Sequence, residues 1–185
     1  MSKLKIGIMV GSLRRDSFSK KVAQYISSLL EEEFSLSFLD IGCLVMYNQD
    51  LDNDDNVPQE WQSYREEVKA LDAILFVTPE YNRSIPPVLK NALDIASRPT
   101  TDNAWDGKPG AIVSISPGSI GGFGANNHLR QSAACLNILV MPVPETYIGG
   151  ISASVDENGV HNESLQGFLG KFADAFAAWV KRLTA

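Results

Sequence analysis

The chain has 185 residues, with 16 Lys and Arg against 22 Asp and Glu and a formal net charge of -6. That length predicts one domain over residues 1–185, large enough to bury its own core without a disulfide or a metal. The acidic balance excludes a general nucleic-acid binder, because neutralising a phosphate backbone takes clustered Lys and Arg, but it leaves room for a local basic pocket.

Leu4–Val10 is a short apolar run that ends in Gly11-Ser12, the signal of a strand passing into a loop. Phe18, Val22, Ile26 and Leu29 follow at helical spacing, so 17–32 reads as an amphipathic helix. Residues 36–40 alternate like a short strand. A long polar loop over 41–58 and a helix over 58–70 come next. The run 73–78 is apolar throughout, as in a parallel strand covered on both faces. Pro86-Pro87 suits the first turn of a helix that stops near Pro99. A second buried strand at 111–116 leads into a Gly-rich loop, 117–124, then a helix over 125–136 and an apolar strand near 138–143. The chain closes with a helical face of Leu165, Phe168, Leu169, Phe172, Phe176, Trp179 and Val180.

Strand and helix thus alternate five times, which calls for a parallel sheet with right-handed crossovers. The expected fold is α/β: a flavodoxin-like three-layer sandwich whose five-stranded parallel sheet has the order 2-1-3-4-5, with helices on both faces. Ligands in such sheets bind beyond the carboxyl ends of the strands, at the switch point between strands 1 and 3. Three loops lie there: 11–19, 79–86 and 117–124. Cys43 and Cys135 form no CxxC pair, and His128 and His161 are the only histidines, so no zinc set and no metal is expected. Both thiols are expected free and at least partly buried, in a reducing compartment. No apolar run reaches the roughly 18 residues of a membrane span, and no leader-like run precedes the first strand. These features predict a cytoplasmic protein without membrane insertion.

The loop Gly11-Ser12-Leu13-Arg14-Arg15-Asp16-Ser17-Phe18-Ser19 sets hydroxyls and backbone N–H groups against the positive end of a helix, a good seat for a phosphate. Arg14 would add a charge-assisted contact. The plainer alternative makes Ser17 a helix cap and Arg14 a solvated charge. Neither GxGxxG nor GxxxxGK[ST] is present. In the second loop, Tyr81 and Asn82 offer an apolar face beside an amide, which suits a flat heteroaromatic ring. A rigid turn with exposed polar residues is the competing reading. In the third loop, glycines permit close backbone approach.

Gly11-Ser12-Leu13-Arg14…Ser17, Pro79-Glu80-Tyr81-Asn82-Arg83-Ser84-Ile85-Pro86, Leu89-Lys90-Asn91-Ala92-Leu93-Asp94, Gly107-Lys108-Pro109 and Ser116-Pro117-Gly118…Gly121-Gly122 together resemble the NAD(P)H-dependent FMN reductases. That flavodoxin-like group includes bacterial quinone and chromate reductases. The resemblance runs from residue 5 to about 150. It implies FMN as cofactor, NADPH or NADH as co-substrate, and ping-pong hydride transfer to quinones or similar small acceptors such as chromate, azo or nitro compounds. By position, Ser12, Arg14, Ser17 and Ser19 would hold the FMN phosphate. Pro79, Glu80, Tyr81, Asn82 and Ser84 would line the ring and ribityl chain, and Ser116, Gly118 and Gly121 would close the other edge. Glu80 or Tyr81 would be placed to donate a proton, and a surface or subunit-contact role is the alternative. Ser19 stands where the family often has Asn, and Pro87 where it commonly has Gly. No protein nucleophile is required, since the flavin carries the chemistry. The resemblance also implies a homodimer or homotetramer, with Trp105, Phe123 and Leu129 as candidate walls from a neighbouring subunit. A flavodoxin-type electron carrier or a redox sensor on the same fold is the alternative.

Overall fold

Alternate residues of the central strands face two different cores, and this sets the layers of the molecule. A computed structural model describes residues 2–53 and 56–185. The strand β3 (Ala73–Pro79) sends Leu75 and Val77 to one side and Ile74 and Phe76 to the other. The first side packs on α1 (Phe18–Leu30) and α5 (Glu163–Thr184) through Val22, Ile26, Phe172 and Phe176. The second packs on α2 (Gln59–Lys69), α3 (Pro87–Ala96) and α4 (Phe123–Cys135) through Trp61, Val68, Leu89 and Leu129. Strands covered on both faces are apolar at nearly every position, which is why β3 and β4 (Pro109–Ile115) show no polar alternation and only one buried hydroxyl each, Thr78 and Ser114.

The sheet is parallel with order β2-β1-β3-β4-β5, where β1 is Lys5–Val10, β2 is Ser35–Phe38 and β5 is Leu139–Val140. This is the expected order. The fifth position departs from the single strand expected near 138–143, because it is filled by two segments. After β5, the strand β6 (Thr146–Ile148) pairs with β4 further along, Val113 opposite Thr146 and Ile115 opposite Ile148. Pro142 and Pro144 lie between them, and a proline has no N–H to give to the ladder. A two-stranded hairpin, β7 (Val155–Asp156) and β8 (Gly159–Val160), also escapes the sequence reading. Its strands are too short to carry a period.

The polar loop after β2 is pinned along the outer layer. Asn91 of α3, which is buried, accepts the Tyr47 N–H at 2.8 Å and donates to the carbonyls of Leu44 (3.2 Å) and Val45 (3.1 Å). Trp61 Nε1 donates to Val45, and Arg65 pairs with Asp52 at 2.9 Å. Asp54 and Asp55, part of that expected loop, lie outside the described residues. Cys43 and Cys135 are free thiols, as expected, but both are exposed: one sits in the loop after β2, the other on the last residue of α4. Among the described residues no helix is long and apolar enough to cross a membrane.

Candidate functional site

The three loops meet at the carboxyl edge of the sheet. Between them lies a cavity of about 80 Å³, lined from the first loop by Ser12, Arg14, Ser17, Phe18 and Ser19. Pro79 and Tyr81 line it from the second, Ile115, Ser116 and Pro117 from the third, and Ile151 closes it. Seven of the twelve expected site residues, Ser12, Arg14, Ser17, Ser19, Pro79, Tyr81 and Ser116, therefore share one surface. The N-terminus of α1 opens onto it. Ser17 caps this helix, its Oγ accepting the Lys20 N–H at 3.2 Å, and the first turn holds no acidic residue to offset the positive end of the dipole. The cap and the anion seat are thus compatible uses of one residue. Ser12 Oγ accepts the Arg14 N–H at 3.4 Å, which folds the loop back over the helix end. Gly11 is needed beneath it, because a Cβ there would stand 2.7 Å from Thr78 Oγ1.

The second loop is a two-residue turn. Tyr81 and Ser84 exchange backbone hydrogen bonds of 2.9 and 3.0 Å, and the central residues Asn82 and Arg83 both have positive φ, 50° and 68°. That is the twist-matched hairpin turn, usually built with Gly; Arg83 in this region costs on the order of 1 kcal/mol. The turn leaves Tyr81 44% exposed at the cavity rim and Asn82 exposed at the tip.

The remaining expected residues face elsewhere. Glu80 turns toward α4: its Oε2 accepts the Ala125 N–H at 3.1 Å and its Oε1 lies 3.4 Å from Arg83. Gly124 makes room for this approach, since a Cβ would meet Glu80 Oε2 at 2.9 Å and the Arg83 carbonyl at 2.7 Å. Ser84 Oγ lies 3.0 Å from His128 Nδ1 and lines a groove between α3 and α4. The Gly118 carbonyl accepts Ser116 Oγ at 2.9 Å. Gly121, with φ of 66°, is pressed on β6, where a Cβ would stand 2.5 Å from the Tyr147 carbonyl carbon. Trp105 and Leu129, two of the candidate subunit walls, are fully buried within this chain and cannot serve; Phe123 is half exposed and adjoins the third loop.

A buried polar network beneath the third loop was not foreseen. Ser114 Oγ donates to the Gly121 carbonyl at 2.8 Å, while the Asn126 amide donates to Ser114 Oγ and to the Thr146 carbonyl, both at 3.2 Å. The signal was one serine inside an otherwise apolar strand. Phe18 and Ile151 also line the cavity unannounced, because an apolar residue at a helix start or in a short turn looks like any other.

A larger cavity, about 620 Å³, is that α3/α4 groove and not the three-loop pocket. It is an open trough between helices whose Lys90 and Asp94 pair with each other at 2.7 Å. Converging donors distinguish the smaller cavity, where hydroxyls, a guanidinium and a helix N-terminus lie together beside an aromatic rim, an arrangement that suits an anion. Among the described residues, no three His, Cys, Asp or Glu side chains are placed to hold a metal ion.

Residues 4–153 match the family described as NADPH-dependent FMN reductase. A quinone reductase of Pseudomonas putida is 48% identical over 176 residues, covering 95% of this chain and 94% of the relative. A 2-hydroxy-1,4-benzoquinone reductase of a Burkholderia species is 48% identical over 179 residues, 96% and 97% of the two chains. Among solved structures, the flavoenzyme NAD(P)H:(acceptor) oxidoreductase FerB of Paracoccus denitrificans superposes with a TM-score of 0.90 at 37% identity, covering 97% of this chain and 98% of its own.

Proposed function

The chain belongs to the NADPH-dependent FMN reductase family, and we propose that it is an FMN-dependent oxidoreductase that oxidises NADPH or NADH and reduces a quinone or a similar small acceptor. The observation that carries this reading is the donor set at the three-loop cavity. Ser12, Ser17 and Ser19 with Arg14, around the uncountered N-terminus of α1, suit the phosphate of FMN. Pro79, Tyr81 and Ser116 stand along the same edge, where the ring and ribityl chain would lie. The backbone of Glu80, Asn82, Ser84, Gly118 and Gly121 belongs to these two walls, although the Glu80 carboxylate and the Ser84 hydroxyl face α4 and Gly121 packs on β6.

FMN bound there supplies hydride acceptance from NAD(P)H and onward delivery to the acceptor. The protein binds and orients: the first loop anchors the anion, Tyr81 covers one rim, and the Ser114–Asn126 network holds the third loop at a set height. Donor and acceptor would use one open face in turn, a ping-pong order in which neither needs a protein nucleophile. Tyr81, exposed at the rim, is better placed than Glu80 to give a proton to the acceptor, since the Glu80 carboxylate faces α4. The quinone class is favoured by the relatives named above. The whole chain would act as one domain, in an oligomer, in a cytoplasm reducing enough to keep the exposed Cys43 and Cys135 as thiols.

Anaerobic addition of NADPH to the flavin-loaded protein should bleach the flavin, and a benzoquinone should restore its colour. A flavin that stays oxidised until a partner reductase is added would mark an electron carrier instead. The Tyr81→Ala variant should lower flavin affinity or turnover by about tenfold, the scale of one lost aromatic contact and hydrogen bond. Unchanged flavin content and rate would remove Tyr81 from the site.

A further inference from the structure

A second cavity, about 300 Å³, adjoins the first at the carboxyl ends of β1 and β2, and the two share Ser12 and Arg14 as lining residues. Its rim carries Arg14, Arg15 and Lys20 against one carboxylate, Asp40, whose Oδ1 already accepts the Gly42 N–H at 3.0 Å. None of the three cations enters an ion pair among the described residues, although the chain as a whole is acidic. Its wall is apolar: Phe38 is 44% exposed at the end of β2, with Leu13, 62% exposed, beside it. Exposed aromatic surface next to unpaired cations recognises a nucleoside phosphate better than a bare ion, because the base needs a face and the phosphate needs charge. Because the trough shares Ser12 and Arg14 with the cavity assigned to FMN, a nicotinamide dinucleotide whose ring meets the flavin has its adenosine end within reach of it, where an arginine and a lysine suit a 2′-phosphate.

We propose that this trough is the subsite for the adenosine 2′-phosphate of NADPH, with the base against Phe38 and the 2′-phosphate on Arg15 and Lys20. Arg14 stays with the FMN phosphate. The proposal rests on the reductase reading and deepens it, making NADPH the preferred donor and naming the residues that prefer it.

The test uses the FMN-loaded full chain and the double variant Arg15→Ala/Lys20→Ala. Calorimetric titration of the parent with 2′,5′-ADP should show binding at least about tenfold tighter than 5′-AMP, the scale of one charge-assisted contact, and the variant should lose that gap. The KM for NADPH should rise by about the same factor, with the KM for NADH and the flavin content kept. Equal affinity for the two mononucleotides in the parent, or an equal rise in both KM values, overturns the proposal. So does FAD, rather than FMN, as the flavin extracted from the protein, because its own adenosine would then occupy the trough. If the loaded protein oxidises neither nucleotide, the reductase reading falls, while a persisting 2′,5′-ADP gap still upholds the subsite.

Discussion

The carboxylate of Glu80 joins two of the three site loops through one hydrogen bond, to the Ala125 N–H in the first turn of α4. Gly122, the N-cap of that helix, has no side chain to do this, so the cap comes from another loop. The bond also orients the turn that carries Tyr81, whose centre at Asn82 and Arg83 lies in left-handed backbone. Glu80→Ala should weaken FMN binding about tenfold in a fluorescence titration, whereas Glu80→Gln, which keeps an acceptor, should stay within about threefold. Equal losses in both would mean that the charge, not the bond, matters. At this scale the expectation that Glu80 and Ser84 line the ring meets side chains that face α4. A PEYN segment has the same letters whether its glutamate faces a flavin or a helix end, and only the path of α4 decides between them. Asn91, inside the equally specific Leu-Lys-Asn-Ala stretch, makes the same point. It clamps the loop after β2, and Asn91→Ala, which leaves the Tyr47 N–H and the Leu44 carbonyl without a partner while Val45 keeps Trp61, should cost about 2 kcal/mol in urea unfolding.

Among the elements, α2 is fastened at its C-terminal end from outside. Lys108, just ahead of β4, donates its Nζ protons to the carbonyls of Lys69 and Leu71, the end of the helix where a cation is favoured. Burial lowers its pKa below the usual lysine value of 10.5. The unfolded chain therefore binds this proton more tightly than the folded one, and the contribution to stability rises as pH climbs from the folded pKa toward 10.5. Lys108→Met should abolish that rise, seen as a flatter alkaline limb in thermal unfolding, and should lower the melting temperature at neutral pH through the two bare carbonyls. An unchanged alkaline limb would assign the proton to another group. Strands β1, β3 and β4 are legible as unbroken apolar runs, and α1 and α5 as apolar residues at helical spacing. The split of the fifth strand is not. The residues 138–143 are apolar in sequence, but which of them pair with β4 depends on where Pro142 and Pro144 interrupt the ladder.

For the molecule as a whole, three exposed apolar side chains, Tyr81, Ile120 and Phe123, stand on or beside the second and third loops at the open edge. An aromatic and aliphatic rim on an otherwise charged surface favours coverage by a second copy. Light scattering at micromolar concentration should therefore report a dimer or a tetramer, and Phe123→Ser should shift the balance toward monomer. A parent that is monomeric throughout would sink the oligomer. With Trp105 and Leu129 in the core, Phe123 alone is left of the candidate subunit walls.

The sequence by itself determined the class of fold, the strand order and the sheet edge at which the three loops meet. These follow from local period and from the handedness of strand–helix–strand connections, both written in neighbouring residues. It also placed seven of twelve side chains on the cavity, chiefly those in the loop whose helix start orders them. The tertiary structure alone decided where Glu80, Ser84 and Gly121 point, that the two thiols are exposed, and that the cations at Arg15 and Lys20 border a second trough. Each of these depends on what a distant segment brings alongside, and a side chain's direction is set by that neighbour, not by its own place in the chain.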